Sequence, residues 1–244
     1  MQKIFVNFLL CTKLEIRSTW KRGVSISIAK KIEEYRSVLP EGVTLLAVSK
    51  TKPIEDIMEA YNTGVRDFGE NKVQELVIKV DELPNDIRWH LIGKLQTNKV
   101  KYIVGKVYLI HSLSSLKLLQ KIEKEFGAKN ITANVLIQIN IGREESKSGI
   151  LEEELEDLLL EIEKCNFVKV KGIMTILPKG GKETNRKYFH KIKLIFDSLG
   201  SRQFKNITMD VLSMGMTSDF REAIEEGSNL VRIGSGIFGE RIYI

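Results

Sequence analysis

From Thr44 onward the chain alternates short apolar runs with stretches of helical periodicity, and it does so eight times. The runs are TLLAVS, VRDFG, IRWHLIG, VYLIHS, ANVLIQIN, VKVKGIMTI, ITMDVLSMG and NLVRIG. Each is too short for a helix and is bounded by turn residues, so each predicts a buried strand. Between them lie IEDIMEAYN, VQELVIKVDEL, QTNKVKYIV, SLKLLQKIEKEFG, EEELEDLLLEIEKC, NRKYFHKIKLIFDSL and SDFREAIEEG, whose apolar spacing predicts helices. Near-continuous apolar strands joined by helices imply a parallel sheet covered on its outer face. Eight such units favour an α/β fold closed as a (β/α)8 TIM barrel over an open doubly wound sheet, and 244 residues suit one such barrel.

A further helical pattern precedes the first strand, with Ile28, Ile32, Tyr35 and Leu39 on one face and Pro40 and Gly42 as its stop. Only GSGIFGERIYI follows the eighth strand, too little for a full closing helix, so this extra N-terminal helix is expected to fill the vacant place. Residues 25–244 then form a single domain, and residues 1–24 form a poorly ordered extension. The apolar start of that extension is interrupted by Asn7 and lacks a clean cleavage site, so it does not meet the criteria for an export signal. No segment reaches the roughly 18 apolar residues of a spanning helix.

The net charge of +6 raises the question of nucleic acid. The basic residues are spread along helices beside glutamates, as in KKIEEYR, which is the pattern of a solvated face rather than of a binding stripe. Cys11 and Cys165 have no metal-ligand spacing and make no disulfide framework. A reduced, cytoplasmic chain with neither nucleic-acid nor membrane partners is the expectation.

Parallel barrels carry function at the carboxyl ends of their strands. Those ends read Ser49-Lys50-Thr51, Gly69-Glu70-Asn71, His90 to Gly93, His111-Ser112, Asn140 with GREESKSG, Met174-Thr175, Ser213-Met214-Gly215-Met216-Thr217, and Arg232-Ile233-Gly234-Ser235-Gly236. Lys50 closes a wholly apolar strand. Desolvation there would lower its pKa and free the amine for Schiff-base chemistry, although a lysine snorkelling to the rim gives the same spacing. The glycine-containing turns after strands seven and eight suit a phosphate, or are ordinary tight turns. Thr217 or Ser218 is the expected cap of the helix that follows the seventh strand. A reactive lysine beside a phosphate cradle fits pyridoxal 5′-phosphate or a Schiff-base aldolase. Few carboxylates beyond Glu70 are at hand for the aldolase.

LLAVSKTKP, FGENKVQE, WHLIGKLQTNK, IQIN followed by ESKSG, GIMTI and LSMGMTSDFREAIEEGSNLVRIGSGIFG resemble the pyridoxal phosphate homeostasis protein family over about 26–244. The resemblance implies the barrel of the alanine racemase N-terminal domain, with pyridoxal 5′-phosphate held as an internal aldimine on Lys50. It further implies that Ser213, Met214 and Gly215, with Gly234 and Ser235, hold the phosphate, largely through backbone amides. Arg232 would meet the phosphate or the ring nitrogen, and Asn71 the ring substituents. His90, Met174 and Thr175 would line the wall, with His90 equally explained as a satisfied core histidine. Two positions depart from the family pattern. His111-Ser112-Leu113-Ser114-Ser115 lacks an acid at a helix cap that Ser114 is then expected to fill, and Lys94 stands where histidine or proline is common.

The implied function is binding, storage and delivery of the cofactor without dedicated turnover. A racemase-like enzyme is the alternative. Two-base racemization needs a second acid–base group opposite the lysine, and the chain is not expected to supply the domain that carries it in alanine racemase. Lys147, in the loop after the fifth strand, is the one residue that could reach the mouth and upset this. Expected partners are the cofactor and apoenzymes that accept it, with the protein a monomer or weak dimer.

Overall fold

The computed structural model describes residues 26–240. The extension expected over residues 1–24, Cys11 and the last four residues lie outside the described residues. Helix α1 (Ile28–Val38) opens with the Ser27 hydroxyl accepting a hydrogen bond from the Lys30 amide. The strands are β1 (Thr44–Val48), β2 (Asp67–Glu70), β3 (Arg88–Leu91), β4 (Leu109–Leu113), β5 (Ala133–Ile139), β6 (Val168–Thr175), β7 (Ile207–Met216) and β8 (Leu230–Ile233). All eight segments predicted as strands are strands. They pair in parallel in sequence order, and β8 closes on β1 with Ala47 opposite Ile233. The connecting helices are α2 (Ile54–Asn62), α3 (Val73–Glu82), α4 (Leu116–Gly127), α5 (Leu155–Ile162), α6 (Lys182–Gly200) and α7 (Phe220–Glu225), and a single turn, α8 (Ser235–Phe238), follows β8.

Alternate strand residues serve two cores. Ala47, Phe68, Leu91, Ile110, Leu212 and Ile233 face outward into the apolar layer beneath the helices. Leu46, Val48, Ile92 and Leu230 form a smaller inner cluster, and Leu109, Leu136 and Met174 form another. A period of two therefore fixes which strand side chains enter the barrel. Lys50 has the parity of Leu46 and Val48.

As expected, α1 fills the place of a closing helix. Ile32 is fully buried, and the Tyr35 ring meets Phe220 edge-on at 5.5 Å. Gly236 makes this possible, since a Cβ there would lie 2.0 Å from the Tyr35 hydroxyl. Three expectations need correction. The segment around QTNKVKYIV is a 3-10 helix, Thr97–Tyr102, not an α-helix. Its two fully buried residues, Val100 and Ile103, are three apart and eclipse at three residues per turn. The cap of α4 is Ser115, whose hydroxyl accepts from the Leu118 amide, rather than Ser114. The cap of α7 is Asp219, not Thr217 or Ser218, and its carboxylate turns back to accept from the Met216 amide at 2.6 Å.

Candidate functional site

The carboxyl ends of the strands surround a cavity of about 960 Å³. Lys50, Asn71, Arg232, Gly234 and Ser235 line it, so five of the residues singled out in the sequence converge on one space. Lys50 reaches it because β1 runs straight into a sharp turn. Thr51 adopts a left-handed conformation, φ 63°, which is strained for a β-branched residue.

What holds that turn is a buried ionic cluster on the outer face of β1 and β2. Glu70 is fully buried and its Oε1 accepts from the Ser49 hydroxyl at 2.6 Å and from Lys79 Nζ at 2.8 Å. Lys79, from α3, also donates to the Ser49 carbonyl at 2.9 Å and to Glu75 Oε1 at 2.6 Å. Glu75 Oε1 in turn accepts from the Thr51 amide at 2.5 Å. Both neighbours of Lys50 are therefore tied to one ion cluster. Burial pushes the Glu70 carboxyl above its ordinary pKa, against the pull of Lys79.

Arg232 forms part of the wall from inside the barrel and is only 4% exposed. Its Nη1 donates to the Ser213 carbonyl at 2.8 Å and to Ser213 Oγ at 2.6 Å, and its Nη2 donates to the Thr175 carbonyl at 2.7 Å. Two of the five guanidinium N–H groups are left for a ligand. Burial draws its pKa down to about 10, with Asp219 acting the other way, so it remains a cation at neutral pH.

The other expected residues lie beneath the cavity surface. Ser213 and Met214 are fully buried, and Ser213 is occupied with Arg232. Gly215, at φ 90°, faces α7, where a Cβ would come 2.6 Å from that of Ala223. The stretch of this turn that reaches the cavity is Met216–Ser218, the three residues after those expected, and β7 itself extends to Met216. His90, Met174 and Thr175, expected in the wall, are likewise buried below it. Met174 packs in an inner apolar cluster, and the Thr175 hydroxyl donates to the Ile139 carbonyl. His90 has both ring nitrogens engaged, which is the core-histidine alternative.

Sequence reasoning named Lys50, Arg232 and Lys147 at the mouth but missed Lys52, Lys94 and Lys179 as part of a cationic lining. Lys52, Lys94, Lys147 and Lys179 join Lys50 and Arg232 around the cavity, against the single carboxylate of Glu240. Six cations facing one anion make a site that attracts anionic ligands. The signal lay in the loops after the strands: counting charge loop by loop, rather than over the whole chain, would have exposed it. Gln138 was also missed. Its Nε2 donates to the Ser148 carbonyl at 2.7 Å and draws the Ser146–Ser148 loop over the mouth.

Among the described residues no cluster of His, Cys, Asp or Glu could hold a metal ion, and no helix is long and apolar enough to cross a membrane. Cys165 is buried and its thiol is pushed up to about 11 by desolvation, so it stays a thiol at neutral pH.

Residues 26–242 match the family model described as alanine racemase, N-terminal domain. A pyridoxal phosphate homeostasis protein of Aquifex aeolicus is 48% identical over 201 residues, covering 82% of this chain and 87% of the relative. A protein of the same name from Helicobacter pylori (strain J99) is 45% identical over 220 residues, covering 88% and 96%. The chain belongs to the pyridoxal phosphate homeostasis protein family. The structure of PipY of Synechococcus elongatus PCC7942, with PLP bound, matches at a TM-score of 0.79 and 34% identity, over 87% of this chain and all of that one. Alanine racemase of Clostridium difficile 630 shares the fold, at a TM-score of 0.75 and 15% identity, but the match spans only 57% of the racemase chain.

Proposed function

We propose that the protein binds pyridoxal 5′-phosphate covalently through Lys50 and serves to hold, store and deliver it, without a dedicated reaction. The observation that carries this is the arrival of an amine, Lys50, in a cation-lined cavity closed by the turns after β7 and β8. The residues fit the group. The volume lies in the range of ligand pockets, the lining favours a dianion, and the carboxyl end of a parallel barrel is where phosphates bind. The names of the relatives and the PipY structure with PLP bound support the same ligand.

In this assignment Met216–Ser218, Gly234 and Ser235 hold the phosphate through their turns, and Asn71 faces the ring substituents. Arg232 contributes its two remaining donors. Ser213, Met214, Gly215 and Thr175 act from below, by fixing Arg232 and the end of β7. The bound cofactor supplies an aldehyde that exchanges reversibly between amines. The protein's part is to present Lys50, neutralise the phosphate and leave the mouth open to an incoming amine. Delivery to apoenzymes follows from that openness.

Arg232→Gln removes a charged donor inside a sheltered site. Cofactor affinity should fall by about ten- to hundredfold, the equivalent of roughly 1.5–3 kcal/mol. Equilibrium titration followed by absorbance reads this directly, and an unchanged dissociation constant would place Arg232 away from the ligand.

One observation favours a racemase-like alternative: Lys147 lines the same cavity as Lys50 and so offers a second amine. Its Nζ lies 3.9 Å from Glu144 in an exposed loop. Against catalysis stands the stereochemistry of a single fixed base, which serves one face only. Added amino acids should shift the visible spectrum of the loaded protein without losing optical activity. Racemization at ordinary enzymatic rates, on the order of 1–10³ per second, that Lys147→Ala abolishes would establish the alternative.

A further inference from the structure

Five side chains on the inward faces of five strands form an unbroken line of hydrogen bonds through the barrel. Asp67 Oδ1 lies 3.0 Å from His90 Nε2, His90 Nδ1 lies 2.9 Å from His111 Nε2, and His111 Nδ1 lies 3.1 Å from Ser213 Oγ. Arg232 Nη1 donates to Ser213 Oγ and completes the line at the cavity wall. At the far end Arg88 grips Asp67 with Nε at 2.7 Å and Nη2 at 2.5 Å. Asp67 and Arg88 border a second cavity at the amino ends of β1 and β2. The line thus spans the barrel from end to end through its middle, where side chains are normally apolar.

The two ends dictate its direction. Arg232 has donors only, so Ser213 Oγ must accept from it. At the other end, burial would raise the Asp67 carboxyl, but hydrogen bonds from His90 and Arg88 outweigh it and bring its pKa to about 2. Asp67 therefore only accepts, and His90 must carry its proton on Nε2. His90 Nδ1 is then an acceptor, which places the His111 proton on Nε2 and leaves His111 Nδ1 to accept from the Ser213 hydroxyl. Every donor in the line meets an acceptor in this order. Reversal would aim two hydrogens at Ser213 Oγ and displace its own. Burial lowers the pKa of both imidazoles and keeps them neutral. The charged or titratable groups facing them are Asp67, Arg88 and Tyr108 beside His90, and Arg232 beside His111.

We infer that Asp67, His90, His111 and Ser213 form a one-way hydrogen-bond relay that fixes the Arg232 guanidinium in the cavity wall. Asp67, at the opposite end of the barrel, is thereby a positioning residue for whatever Arg232 contacts. The effect on cofactor rests on the function proposed above; the order of protons does not.

The test begins with nitrogen-15 histidine spectra of the ligand-free protein at neutral pH. The chain has three histidines, and His190, exposed on α6, supplies the control. Both buried rings should be neutral with the proton on Nε2. A charged ring, or a proton on Nδ1 of either, overturns the relay. In His111→Leu, His90 Nδ1 loses its donor while Nε2 still faces the Asp67 carboxylate, so the His90 proton should stay on Nε2; a proton on Nδ1 also overturns it. Should that variant not fold, the wild-type spectrum and Ser213→Ala decide. Ser213→Ala should weaken pyridoxal phosphate binding by about tenfold, the loss of one sheltered hydrogen bond, with Ser213→Thr restoring most of it. Equal affinity in Ser213→Ala and wild type contradicts the positioning role. A wild-type protein that takes up no pyridoxal phosphate overturns the cofactor assignment instead, and the proton order is then judged on the ligand-free spectra.

Discussion

Lys50→Ala is expected to abolish covalent attachment of pyridoxal 5′-phosphate while leaving the barrel folded. The alanine removes the amine that the aldehyde needs, so the visible absorbance of the loaded protein should be lost. Arg232 and the turns at Met216–Ser218 and Gly234–Ser235 remain, so some cofactor should still bind non-covalently. The loss of the covalent bond and of one cation beside an anion should weaken uptake by at least about hundredfold, roughly 3 kcal/mol or more. Folding should change little, because Lys50 follows β1 and the inward packing of that strand rests on Leu46 and Val48. Urea unfolding should show a shift within about 1 kcal/mol, the ordinary range for a substitution outside a packed core. A variant that keeps its colour would remove Lys50 from the assignment.

Lys79→Met should produce the largest loss of stability. Lys79 is 5% exposed and Glu70 is fully buried, so removing the ammonium leaves a carboxylate beneath the helix layer with only the Ser49 hydroxyl as partner. Breaking a buried pair on one side typically costs about 3–5 kcal/mol. The pH dependence has a definite sign. Without Lys79 the folded-state pKa of Glu70, already raised, rises further above its unfolded value. Below the unfolded pKa, about 4.3, the carboxyl is protonated in both states and the penalty is small. As pH climbs past that value the unfolded chain ionises and the folded one resists, so the penalty grows until the folded pKa is passed. Unfolding of wild type and variant should therefore converge in mild acid and diverge toward pH 8. Adding Glu70→Gln to Lys79→Met should recover much of the loss, a non-additivity expected of direct partners. The same variant frees the Ser49 carbonyl and slackens the turn at Thr51, so its cofactor uptake should also weaken.

The barrel was legible because strands buried on both faces write themselves as apolar runs, and eight of them in alternation leave few topologies. Lys50 was legible for the same reason, as a charge ending an apolar strand. The ion cluster that holds it was not. In VQELVIKVDEL, Lys79 sits where an amphipathic helix would place a solvated residue, and only the fold brings Glu70 beneath it. His111 and Ser213 are 102 residues apart and meet through the barrel's register, which a single sequence does not state. The part of the turn after β7 that lines the cavity, Met216–Ser218, was not legible, because β7 runs on to Met216 and strand ends depend on pairing rather than on composition. The cationic mouth was diluted in a chain-wide charge count, since its lysines come from three separate loops and from the turn after β1.

The most direct measurement is borohydride reduction of the protein loaded with pyridoxal 5′-phosphate, followed by mass-spectrometric mapping of the modified residue. Five lysines line the cavity, so the outcome discriminates among Lys50, Lys52, Lys94, Lys147 and Lys179. The expected result is loss of the visible band with one phosphopyridoxyl group per chain, on Lys50. A group mapped to any of the other four, or scattered among them, would contradict the central claim.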